Sequence, residues 1–112
     1  MNIPAQPLSP AGAELRRLFE QRIAILEGPK GTMTQARQLS EADFRGERFR
    51  RHPRDLAGDN DILCLSQPGL IEEFHRSFIE AGADIVSTNT FNGTRISQAD
   101  YQTEPFVAEI NR

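Results

Sequence analysis

Apolar residues recur along this chain in patterns that predict five elements. From Pro10 to Gln21, Leu15, Leu18 and Phe19 return at spacings of three and four, behind a Ser9-Pro10 pair that offers an N-cap and a first-turn proline. This spacing predicts a helix over 10–21, leaning on the element that follows. Next comes an unbroken run, Ile23-Ala24-Ile25-Leu26, ending abruptly at Glu27-Gly28. A strand with one wet face would alternate, so the run predicts a strand buried on both faces. The longest amphipathic stretch, Gln67 to Ala81, sets Leu70, Ile71, Phe74, Phe78 and Ala81 on one stripe, with Ser66 as N-cap, Pro68 in the first turn and Gly82 as a left-handed stop. Ala83 to Phe91 predicts a second buried strand, β-branched at Ile85, Val86 and Thr88 and polar at its end. Ile96 to Asn111 predicts one or two helical segments interrupted near Pro105.

Between the first strand and the long helix lies a region without clear periodicity, Gly28 to Leu65, with helical turns expected near Met33–Gln38 and Glu41–Phe44. A connection this long often covers a site. Its arginines, Arg45, Arg48, Arg50, Arg51 and Arg54, are interleaved with Glu41, Asp43, Glu47 and Asp55, which favours a solvated, salt-bridged loop over a phosphate-binding patch. Residues 1–8, with Pro4 and Pro7, are expected to be a disordered lead, and 9–112 the ordered domain. Strands alternating with helices predict an α/β fold with a parallel sheet and a right-handed crossover. Two strands do not complete such a sheet, and their open edges would invite association.

Composition narrows the function without naming it. The 112 residues are 38% hydrophobic and 26% charged, as in an ordinary globular domain. A formal net charge of −3 argues against nucleic acid or anionic membranes as partners, which select a basic field. Cys64 is the sole cysteine, so there is neither a disulfide framework nor zinc-ligand spacing, and it is read as a small buried hydrophobe. His75 is read as a boundary residue of the long helix. With no membrane-length apolar run and no signal peptide, a cytoplasmic location is expected.

The candidate chemistry gathers where the two apolar runs end. Glu27-Gly28-Pro29-Lys30-Gly31-Thr32 is not a nucleotide loop, because Lys30 precedes Gly31 and no Gly-Lys-Ser/Thr or GxGxxG spacing is present. Glu27 is suited to accept a hydrogen bond from an ammonium group, and the backbone around Gly28 and Thr88 to receive a carboxylate. An equal alternative is that Glu27 caps a helix and Gly28 only turns the chain.

The succession R-I-A-I-L-E-G-P-K-G-T-M-T-Q, L-S-E-A-D-F-R-G-E-R-F, D-L-A-G-D-N-D-I-L-C-L-S-Q-P, A-G-A-D-I-V-S-T-N-T-F and A-D-Y-Q resembles the N-terminal homocysteine-binding domain of cobalamin-dependent methionine synthases, collinearly from about Arg16 onward. The resemblance implies the N-terminal β/α portion of a (β/α)₈ TIM barrel, incomplete in this chain, since such barrels take about 250 residues and eight strands. It implies methyl transfer from methylcobalamin to homocysteine held on a zinc bound by three cysteine thiolates, with cobalamin and folate carried by later modules. By position it assigns substrate binding to Glu27, Gly28, Ser87 and Thr88, and neither a catalytic residue nor a metal ligand to these 112 residues. No zinc or cobalamin is therefore expected on this chain alone. Activity as a 5-methyltetrahydrofolate-homocysteine methyltransferase is expected to need the remaining barrel and the other modules. The alternative is a non-catalytic truncated barrel fragment that acts through protein association. The first turn departs from the family pattern: Glu27 is one methylene longer than the usual Asp, Pro29 removes a backbone donor, Lys30 replaces a methionine, and Ser87 stands where Glu or Gln is usual.

Overall fold

The Ser9 hydroxyl accepts the Gly12 amide at 3.1 Å and starts α1, Pro10–Gln21, at the bounds its pattern predicts. The computed structural model describes residues 6–112. Residues 1–5 of the expected disordered lead lie outside the described residues. Helix α1 does not lean on the segment after it: it buries no residue, and Phe19 is 59% exposed. Its C-terminal end is held instead by a bidentate Arg22–Asp84 pair at 2.5 and 2.7 Å. That hydrogen bond and the Ile25 amide hold the Asp84 carboxyl down at about 2.

The expected α/β sheet is not formed. Among the described residues there is no strand, only one isolated parallel bridge between Leu26 and Ile85. Three backbone bonds make it: Glu27 N–H to Ile85 O at 3.0 Å, and the Asp84 and Ile85 amides to Ile25 O at 2.8 and 3.2 Å. Ile23 is 88% exposed, and Ile25 and Leu26 are more than half exposed, so the first run is not buried on both faces. The second begins half-buried at Ile85 and Val86 and is exposed by Ser87 and Thr88. The (β/α)₈ portion implied by the resemblance is overturned by the same finding, and the described fold is helical. Parallel strands are stable where neighbours pair both edges and helices cover both faces, and these two segments have neither.

The core lies where the sequence shows least periodicity. After α2 (Lys30–Ala36) come α3 (Glu41–Arg45), a 3₁₀ turn at Asn60–Ile62 and α4 (Leu63–Ser66). Phe44, Phe49, Leu56, Ile62 and Leu63 from this region pack with Ile71 and Phe74 of α5 (Pro68–Glu80) and with Ile110. The region predicted as a covering loop is therefore the centre of the molecule. Charged residues order it, as the salt-bridged reading anticipates. Glu41 accepts the Leu56 amide at 2.8 and 3.0 Å, the Ala57 amide at 2.6 Å and Arg45 Nε at 2.6 Å. Arg45 then donates to His52 O at 2.6 Å and Arg54 O at 3.2 Å, so one carboxylate and one guanidinium close the turn. Gly46, at φ +56°, lets α3 end against α4, because a Cβ there would stand 2.9 Å from Ser66 O.

Helix α5 buries Ile71 and Phe74 but leaves Ala81 exposed, and Gly82 ends it at φ +109°. Ser66 is not its cap; its hydroxyl donates to Ile62 O at 3.3 Å within α4. The C-terminal stretch runs as α6 (Arg95–Gln98), 3₁₀ turns at Ala99–Tyr101 and Glu104–Phe106, and α7 (Val107–Ile110), with Pro105 inside the second turn. The whole is a slab of 49 × 38 × 18 Å, about two helix layers thick. No helix among the described residues is long and apolar enough to cross a membrane.

Phe74 is fully buried and Phe19 largely exposed. Urea denaturation should therefore show Phe74→Ala losing about 3 to 5 kcal/mol and Phe19→Ala less than about 1 kcal/mol. Equal losses would contradict this placement of the core.

Candidate functional site

The Leu26–Ile85 bridge sets the ends of the two extended segments side by side, bringing Glu27 next to Ser87. Helix α2 begins three residues after Glu27 and turns Lys30 back over the same point. Three groups form a knot there. The Ser87 hydroxyl and the Lys30 ammonium both donate to Glu27 Oε1, and Lys30 also donates to Ser87 O at 2.8 Å and Ser87 Oγ at 2.9 Å. The side chains of Glu27 and Lys30 are only 7% and 12% exposed. Burial disfavours the Glu27 carboxylate, but the Lys30 and Ser87 hydrogen bonds outweigh it and hold the group below its ordinary value.

A cleft of about 500 Å³ opens beside the knot, within the size range of small-molecule sites. Lys30 and Gly31 form one wall, the 87–92 segment another, and Asn60 and Asp61 a third. Side chains fasten the 87–92 segment where a sheet does not. Asn89 Nδ2 donates to Asn60 O at 2.7 Å, the Asn92 amide to Asp61 Oδ1 at 2.9 Å, and the Thr88 and Thr90 hydroxyls pair at 2.7 Å. Every residue lining the cleft except Gly31 and Phe91 carries a polar side-chain group, and Phe91 stands 96% exposed.

Two buried acids adjoin the cleft, Asp61 in its third wall and Asp59 two residues before it. Burial raises Asp61 to about 6, with nearby Asp59 adding to the effect and the Asn92 amide opposing it. Burial likewise raises Asp59, although Gln98 donates to its Oδ1 at 3.0 Å and Thr103 lies at 3.4 Å from its Oδ2.

Of the four residues singled out in the sequence, the structure joins Glu27 to Ser87 directly and puts Thr88 in the cleft wall. Gly28 lies elsewhere: it packs under α5, where a Cβ would come within 2.7 Å of Phe78 Cε1. Its lack of a side chain lets the Phe78 ring pack against the backbone there. Sequence reasoning missed Asn60, Asp61, Asn89 and Asn92, and it saw Lys30 only as a departure from a pattern. The available signal was Asp59 and Asp61 leading directly into the apolar run Ile62-Leu63-Cys64-Leu65, since acids so placed are carried into the interior.

These residues do not fit a thiolate-held zinc. Cys64 is the chain's one thiol; it is half-buried, donates to Asn89 O at 3.3 Å, and burial pushes its pKa up, away from the thiolate a metal needs. Among the described residues no three His, Cys, Asp or Glu side chains gather as a metal site.

The geometry thus defines a chain with a small cleft flanked by a largely buried acid–lysine pair that an exposed serine caps. A family model for homocysteine S-methyltransferases matches residues 24–112, a span that includes both the knot and the cleft. The chain belongs to the homocysteine S-methyltransferase family, which connects it to homocysteine methylation in general.

Asp61 also sets a pH dependence. An unfolded aspartate releases its proton near pH 3.9, whereas the folded one holds it to about 6, so stability falls as pH rises through that window. Asp61→Asn should stabilise the protein by about 2 to 3 kcal/mol at pH 7 to 8, and the gain should vanish near pH 4. Thermal melts of both proteins across this range check it; a gain independent of pH would show that ionisation is not the cause.

Proposed function

We propose that this chain anchors the amino-acid end of homocysteine for methylation at sulfur, and that the enzyme it serves is a methionine synthase drawing its methyl group from cobalamin. The observation that carries the reading is the direct contact of Glu27 with Ser87 beside a polar cleft, inside the span matched to the family. Glu27, ionised because its pKa is depressed, is the acceptor for the ligand's ammonium. Ser87 and Thr88 supply hydroxyls at the same rim, and Asn89 and Asn92 add polar groups along the wall. The chain's part in the reaction is binding and orientation. Holding the amino acid by its charged end leaves the thiol free to be presented to the methyl donor, which is how positional restraint lowers a transfer barrier. No step is assigned to a metal, since the thiolates for one are not among these residues.

Titrating L-homocysteine into ¹⁵N-labelled protein should move the amides of Ser87 to Asn92 as one contiguous set. Glu27→Gln, which keeps the shape and removes the charge, should weaken the binding at least about tenfold, or about 1.4 kcal/mol. Shifts on another face, or an unchanged affinity in the variant, would overturn the anchoring role.

A further inference from the structure

The ammonium of Lys30 is held as the ammonium of an amino-acid ligand would be. A lysine has three N–H donors. Here they have three acceptors: Glu27 Oε1, Ser87 O and Ser87 Oγ. The charge is buried against a buried carboxylate at the cleft wall. Glu27 Oε2, by contrast, is buried with no hydrogen-bond partner among the described residues. A carboxylate whose two hydrogen bonds both fall on one oxygen is an incompletely satisfied buried ion. Lys30 is also the only lysine in the chain, against twelve arginines among 13 basic residues. Its side chain is a flexible four-carbon stem with a point charge, able to swing into solvent without moving the backbone of α2.

We infer that Lys30 is a tethered competitor for the ammonium subsite: it closes the site in the free protein, and an amino-acid ligand binds by expelling it. The inference rests on the reading of Glu27 and Ser87 as the amino-acid anchor. A group tethered to the same chain acts at an effective concentration of millimolar or more, so free amines well below that level compete poorly. A ligand with the same carboxylate and thiol but no amine has no such competitor. Lys30 therefore selects against amine-bearing ligands and sets the concentration at which the site opens.

Because the chain has a single lysine, its Nζ gives one signal in a ¹H–¹⁵N ammonium spectrum, resolved from the chain's N-terminal amine. In the free protein that signal should lie away from the position of solvated lysine. Adding L-homocysteine should bring it to the solvated position in step with the shifts of the Ser87 to Asn92 amides. In parallel, Lys30→Met should bind L-homocysteine at least tenfold tighter than the natural chain. Its affinity for the des-amino analogue 4-sulfanylbutanoate should change less than twofold. If homocysteine moves those amides and leaves the Nζ signal in place, displacement is refuted and the anchor survives. If both ligands gain equally in Lys30→Met, the lysine was only filling space and the inference fails. If homocysteine moves neither set of signals, the anchor reading itself is wrong and the inference goes with it. Should Lys30→Met not fold, the Nζ measurement on the natural chain decides alone.

Discussion

A carboxylate buried to 2% exposure, that of Asp59, is the constraint on which the rest of the structure hangs. A charge that deep is tolerated only if its lone pairs are met, and the partners come from about forty residues downstream: Gln98 and Thr103, each fully buried. The single Thr103 hydroxyl proton goes to the nearer Gln98 Oε1 at 2.7 Å, so Thr103 holds the Gln98 amide in place while its oxygen stands 3.4 Å from Asp59 Oδ2. Satisfying Asp59 pulls the C-terminal stretch against the core and places Gln98 where it also donates to Asn92 O at 3.2 Å. Asn92 is then in position for Asp61, and the 87–92 wall of the cleft follows. The cleft is thus a consequence of a buried polar network, not of a sheet edge.

The knot at Glu27 solves a similar problem in a different way. Glu27 is carried inward by the Leu26–Ile85 bridge and must be neutralised, and Lys30 does this from one helical turn away. The partner is local and flexible, whereas the partners of Asp59 are distant and packed. A rigid network suits a scaffold, and an exchangeable ion pair suits a place where a ligand enters. The family match spans both, and only the second lies open to the cleft.

Helices α1 and α5 were legible because their signals are local: Ser9 and Pro10 start one, and the Ile71–Phe74 stripe and Gly82 shape the other. The interleaved arginines and acids of 41–55 were legible as salt bridges, and Arg45–Glu41, Arg45–Asp55 and Arg50–Glu47 are formed. What this segment encloses was not legible. Phe44, Phe49, Leu56, Ile62 and Leu63 follow no helical or strand period, because they converge through turns closed by Glu41 and Arg45. The two strands were misjudged for the converse reason. An apolar run states only a preference for burial, and Ile23, Ile25 and Leu26 find no covering layer among the described residues.

The sequence by itself determined the bounds of α1, the stop of α5 and the charge balance of the central segment, since each depends on neighbours a few residues apart; a collinear motif named Glu27 and Ser87 together as candidate chemistry. Tertiary structure alone decided which apolar residues form the core, that the extended segments meet in one bridge, and that Gly28 serves Phe78 while Lys30 occupies the acid. Those outcomes depend on which distant group reaches a buried charge or an open face first. Local spacing carries no record of that competition.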